Sequence, residues 1–201
     1  STHNVTLFPY TTLFRSLAPG GHAIVMGSAT HRGKKASFNL MPDPRWQEPA
    51  AMAAPEAATG VPVRLADERE KGGMAYATSK LALVTLAHDW ATRLAASGRR
   101  LNTYDPGLVA GTGLGKDMPS YMYWVWKRVM PAMSVLPGAT TPRNTARHAV
   151  ALAMGDAHPS LNDGYVEIGR IIEAAAVTSD DGRRRALWTW LDNAVGQSLP
   201  R

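Results

Sequence analysis

Residues 76–107 read Tyr-Ala-Thr-Ser-Lys-Leu-Ala-Leu-Val-Thr-Leu-Ala-His-Asp-Trp-Ala-Thr-Arg-Leu-Ala-Ala-Ser-Gly-Arg-Arg-Leu-Asn-Thr-Tyr-Asp-Pro-Gly. Leu83, Val84, Leu86, Ala87, Trp90 and Leu94 fall on one stripe at helical spacing, with Arg93 in the last turns and Gly98 just past the end. The spacing predicts a helix over 75–97. Leu101 to Tyr104 then predicts a short strand. Asp105-Pro106-Gly107 ends it, because proline cannot continue a ladder and glycine admits the turn.

Outward from this stretch the same alternation continues. Upstream, the turn Ala18-Pro19-Gly20-Gly21 runs into the apolar His22-Ala23-Ile24-Val25-Met26-Gly27, which predicts a buried strand ending at Ser28. From His31 to Gly73 the chain is rich in Pro, Ala, Gly and charge without a sustained period, so a long excursion is expected. Downstream come a loop with Gly111, Gly113 and Gly115, then the aromatic stretch Tyr121 to Trp126. Thr141-Pro142 opens a helix through about Met154, with proline suited to its first turn. Residues 164–169 predict a third strand and 181–195 a terminal helix with Leu187, Trp188, Leu191 and Val195 on one face. Strands alternating with helices predict an α/β fold with a parallel sheet.

The whole chain has 201 residues, 45% hydrophobic and 19% charged, a globular composition compatible with one domain. The absence of cysteine removes thiol catalysis, disulfide frameworks and cysteine metal sites. The six histidines show no paired metal spacing, so no metal is expected. The longest apolar run, Tyr121 to Val135, is broken by Lys127, Arg128 and Pro131 and falls short of the ~20 residues of a membrane span. A cytoplasmic location is the expectation, and nothing in the sequence specifies an oligomeric state. Sixteen arginines against six lysines contribute to a net charge of +6, which permits an anionic partner without choosing one. Thr6 to Ser16, TLFPYTTLFRS, resembles the conceptual translation of a sequencing adapter, so residues 1–16 are read as an artefactual leader and 17–201 as the domain.

Tyr76 and Lys80 stand four residues apart, so phenol and ammonium leave the same face of the helix. A fixed cation a few ångströms away favours the phenolate, which makes a tyrosine a usable acid or base near neutral pH. Tyr123 and Lys127 have the same spacing, but bulky aromatics surround them and no strand with a hydroxyl precedes them; a lid or core helix is expected there.

Strand-Ser28, then Tyr76 and Lys80, then Asp105-Pro106-Gly107 with Thr112-Gly113-Leu114 form an ordered set that resembles the short-chain dehydrogenase/reductase family. Gly27 to His31, Thr112 to Leu114 and Ala186 to Gly196 are most similar to its protochlorophyllide-reductase-like and retinol-dehydrogenase-like branch. The resemblance implies a Rossmann-like doubly wound parallel sheet. It also implies an oxidoreductase using NADP or NAD on a carbonyl or alcohol of a small molecule. In that reading Tyr76 is the proton donor, Lys80 tunes it and holds the nicotinamide ribose, and Ser28 hydrogen-bonds the carbonyl oxygen. Pro106 and Gly107 bring backbone close to the ring, and Thr112 contacts the carboxamide or diphosphate. For the aromatic stretch with Met118, Met122, Met130 and Met133 the resemblance implies an apolar lid over a hydrophobic substrate; an ordinary core helix or a partner interface is the alternative reading.

The chain departs from the family pattern in lacking the Gly-rich phosphate loop, the residue that selects NAD or NADP, and the helix asparagine of the tetrad. It is therefore expected to be the C-terminal part of such a sheet, a fragment without the N-terminal strands that binds no NAD(P)H by itself and has little activity. Tyr76 follows Ser28 by 48 positions, a longer gap than the family usually has. Other readings stay open. Ser28 is alternatively a small polar residue ending a strand, or the nucleophile of a serine hydrolase, although no G-x-S-x-G elbow surrounds it. A basic nucleic-acid-binding module would rest on the net charge and Arg183-Arg184-Arg185, which otherwise read as a solvated helix face. Gly111 to Lys116 fails the phosphate-loop pattern, since Ala110 stands where it needs glycine and Asp117 where it needs Ser or Thr.

Overall fold

The computed structural model describes residues 17–53, 68–109, 124 and 138–198. Strand β1, His22–Met26, is followed by a 3-10 turn, Ala29–Arg32, and a short helix α1, Pro49–Ala53. The long helix α2 spans Glu68–Ala95 and leads into β2, Arg100–Asp105, and β3, Leu108–Val109. After β4, Ala139–Thr140, come α3, Pro142–Met154, then β5, Tyr165–Glu167, and β6, Arg170–Ile172. A second 3-10 turn, Ala176–Ser179, precedes α4, Asp181–Ser198.

The main sheet has the order β1-β2-β5-β6, with β1, β2 and β5 parallel and β6 antiparallel to β5. Because strand side chains alternate between faces, β1 feeds two cores. Ala23 and Val25 pack with Ala87, Ala91, Leu94 and Leu101 under α2, while Ile24 packs with Tyr104, Leu152 and Val166 under α3. Helices thus cover both faces of a parallel sheet, the α/β architecture of a doubly wound fold. Leu81, Leu101 and Leu152 are each about 1% exposed, and burying each contributes ~1.5–3 kcal/mol.

Several boundaries differ from the sequence expectation for identifiable reasons. Helix α2 begins seven residues earlier than residue 75 and runs through Gly72-Gly73. At Gly73 a Cβ would stand 2.8 Å from the Pro42 ring, so the glycine lets the 33–46 segment lie against the helix. The buried stripe of α2 is Ala77, Leu81, Val84, Thr85, Leu86, Ala87, Ala91 and Leu94; Leu83 is only half-buried and Trp90 packs at the edge. The third strand is the first arm of a hairpin, turned at Ile168 and Gly169, both in the left-handed region, and β6 had no sequence signal apart from that glycine. The β3–β4 pair and helix α1 were likewise absent from the sequence reading. Thr112, the Gly111–Gly115 loop and Tyr123 lie outside the described residues.

Candidate functional site

The carboxyl ends of β1, β2 and β5 meet at one edge, where open α/β sheets bind ligands. Tyr76 and Lys80 come to this edge on the first half of α2. Lys80 Nζ donates to the main-chain oxygen of Met26, the last residue of β1, at 2.9 Å, and lies 5.7 Å from the centroid of the Tyr76 ring. Burial pushes the Lys80 ammonium below the usual lysine value, and the Asp105 carboxylate opposes that shift. Tyr76 is 40% exposed, so its phenol is accessible to solvent.

Ser28 follows β1 by two residues and caps the 3-10 turn. Its Oγ accepts from Thr30 N at 3.4 Å and from Thr30 Oγ1 at 3.1 Å. In both bonds Ser28 is the acceptor, so capping leaves its own hydroxyl proton available to a carbonyl oxygen. No hydrogen bond joins the Ser28 and Tyr76 hydroxyls among the described residues. Gly27 is required here: a Cβ would lie 2.7 Å from Thr103 Cγ2 and 3.0 Å from the Tyr165 ring.

At the end of β2, Asp105 is 2% exposed and accepts from Gly107 N at 2.8 Å and from Tyr165 Oη at 2.6 Å. The first bond is the Asx turn expected of Asp before Pro-Gly. Gly107 has φ +70°, and a Cβ there would meet Ile168 Cδ1 at 2.5 Å and the Gly138 oxygen at 2.8 Å. The space a side chain would need is therefore already occupied by protein, which gives this glycine a structural reason of its own.

The sequence reading missed the buried polar cluster that joins these turns. His31, 1% exposed, sets Nδ1 2.6 Å from the Ser28 oxygen and accepts from Ala175 N at Nε2, 3.2 Å away. A carbonyl only accepts and an amide N–H only donates, so the ring is neutral with its proton on Nδ1. Burial pushes the His31 pKa below the usual histidine value, opposed by its bond to the Ser28 carbonyl. The ring packs on Tyr165 with centroids 4.7 Å apart. Burial, then the Asp105 charge, holds the Tyr165 phenol protonated well above the ordinary range. Arg32 Nη2 donates to Glu167 Oε1 at 2.6 Å, yet burial still raises the Glu167 pKa. The legible signals were a histidine three residues after the strand-end serine and the aspartate before Pro-Gly.

Other polar groups bear on the remaining readings. His31 reaches the Ser28 main-chain oxygen, and among the described residues Ser28 Oγ has no histidine partner of the kind a hydrolase nucleophile needs. His88 bridges Asp163 at 2.7 Å and Thr178 at 3.2 Å, but Thr178 is fully buried and donates to Ala175 O, so it is no accessible nucleophile. Arg184 pairs with Asp89 at 2.7 Å and Asp181 at 3.4 Å, and Arg183 lies over Trp46 at 5.4 Å. The expected solvated face of Arg183 to Arg185 is thus partly engaged by protein. No group of three or more potential metal ligands occurs among the described residues, and no described helix is long and apolar enough to cross a membrane.

No family model matches the chain, and no curated protein matches it. Among solved structures, one described as a candidate betaketoacyl-ACP reductase superposes with a TM-score of 0.37 at 17% identity, over 73% of this chain and 44% of that one. The chain therefore spans less than half the length of that structure.

Proposed function

We propose that this edge is the carbonyl-handling part of an NADP- or NAD-dependent oxidoreductase acting on a carbonyl or alcohol of a hydrophobic small molecule. The observation that carries the reading is Lys80, tied to the end of β1 and facing the Tyr76 ring. The residues present fit a nicotinamide cofactor at Lys80, whose remaining N–H protons suit ribose hydroxyls. Pro106-Gly107 offers backbone at the same edge, while its Cβ space is already filled. When bound, the cofactor supplies or accepts hydride at the substrate carbon. Tyr76 gives its phenolic proton to the carbonyl oxygen and regains one from solvent; Ser28 donates its free hydroxyl proton to the same oxygen. Half-exposed Met26 beside Lys80 offers apolar surface, in keeping with the apolar lid expected of residues 121–126.

The pyrophosphate loop has no counterpart in these 201 residues. Titrating the chain as given with NADPH and NADH is therefore expected to show no saturable micromolar binding, and binding there would overturn the fragment reading. The function itself is tested in a form of the protein that binds the cofactor. Tyr76→Phe should cut turnover by ~10²–10⁴ with cofactor affinity kept, the usual worth of a general acid. Tyr123→Phe should have little effect. If Tyr76→Phe turns over normally, the assignment fails.

A further inference from the structure

We propose that His31 is a positioning residue for the candidate site: together with Tyr165 and Asp105 it braces the Ser28 turn against the Gly107 turn. The inference rests on the functional reading above for its purpose, but its geometry does not depend on it. From Ser28 the path runs through the carbonyl oxygen to His31 Nδ1, from His31 Nε2 to Ala175 N, and through the contact of the His31 ring with the Tyr165 ring, tilted by 40°. It continues from Tyr165 Oη to Asp105 Oδ2 and from Asp105 Oδ1 to Gly107 N. Both turns at this edge are thus attached to one buried unit drawn from the 3-10 turn after β1, from β2 and β5, and from the segment before the last 3-10 turn.

The unit works because each member has one protonation state that satisfies its neighbours. A proton added to His31 Nε2 would point at the Ala175 N–H, donor against donor. The charged and titratable groups around the ring are Arg32 on its own turn, Asp105 on β2, His88 on α2 and Tyr165 on β5. Burial keeps the imidazole neutral, and Asp105, which pulls the other way, has Tyr165 and Gly107 as hydrogen-bond donors. The Ser28 hydroxyl then inherits its direction from a main chain held on both sides.

The test separates the two nitrogens. In His31→Asn the side-chain amide nitrogen reaches the Nδ1 position and keeps the bond to Ser28; in His31→Gln the carboxamide reaches the Nε2 position and keeps only the bond to Ala175. In the isotope-labelled 201-residue chain, the wild-type imidazole nitrogens should show a protonated Nδ1 and a bare Nε2 at neutral pH. The Ser28 carbonyl and Gly107 amide resonances should move in His31→Gln and stay nearer their wild-type positions in His31→Asn. The opposite tautomer, or equal displacement by the two variants, overturns the brace. In a cofactor-binding, active form of the protein, His31→Gln should lower kcat by about 10- to 100-fold at unchanged KM, the size of a small misplacement, with a smaller loss in His31→Asn. Equal kcat per folded molecule in the two variants also overturns it. If the wild type reduces no carbonyl at all, the functional reading falls, and the resonance pattern alone decides the brace.

Discussion

Lys80 connects several parts of the site, since one ammonium meets the Met26 carbonyl, the Tyr76 ring and the field of Asp105. Lys80→Ala should therefore slow the chemical step and weaken cofactor binding together. Steady-state kinetics and cofactor titration of the cofactor-binding form check this; unchanged turnover and cofactor affinity would remove Lys80 from the site. At the turns, the two glycines make contrasting predictions. Gly27→Ala introduces a methyl 2.7 Å from Thr103 Cγ2 in otherwise ordinary backbone, a case of overpacking worth ~1–3 kcal/mol. Gly107→Ala adds positive φ to contacts of 2.5 and 2.8 Å, so it should cost more than Gly27→Ala in urea unfolding.

At the scale of elements, the starts of α3 and α4 were legible in the sequence and the start of α2 was not. Helix α3 has the expected Pro142 in its first turn, and Thr141 accepts from Asn144 N at 3.3 Å as the cap. Gly155, with φ +80°, closes its other end. Thr141→Ala should lower stability by about 1 kcal/mol, measured by the denaturation midpoint. The start of α2 was misplaced because Gly72-Gly73 reads as a break locally, whereas the helix there is supported by the Pro42 segment packed on it. Leu81, near the middle of that helix, is 1% exposed. Leu81→Ala should cost 2–5 kcal/mol, of the order of a small domain's whole margin.

Across the whole molecule, burial of neutral histidines links stability to pH. The pKa values of His31 and His22 are both lowered in the fold, His31 by burial and His22 by burial and Arg100. The unfolded chain therefore binds more protons below the ordinary value of 6.5, so the stability these groups contribute is present above 6.5 and is lost as pH falls through their folded values. The melting temperature should drop on acidification from neutral pH, and less steeply in His31→Asn. The sheet adds a second expectation. Strand β1 pairs with β2 along one side, and among the described residues its other edge has no strand. An unpaired edge templates association, so light scattering should show size growing with concentration; a monodisperse solution across concentrations would count against it.

By itself the sequence determined the alternation of strands and helices, the helix start at Pro142, and the pairing of Tyr76 with Lys80, since these depend on spacing and on residues whose backbone preferences are local. Within β1 the strand period of two then sets Ala23 and Val25 opposite Ile24, one on each core. Only the tertiary structure decided that His31, Tyr165 and Asp105 form one cluster, because each reads locally as an ordinary polar residue and their bonds span 60 to 144 positions. It likewise decided why Gly27 and Gly107 are glycine, since the atoms that exclude a side chain come from Tyr165 and Ile168 on β5 and its turn. Local preference acts over a few residues of chain, whereas excluded volume and the pairing of buried polar groups act on whatever folding brings within contact.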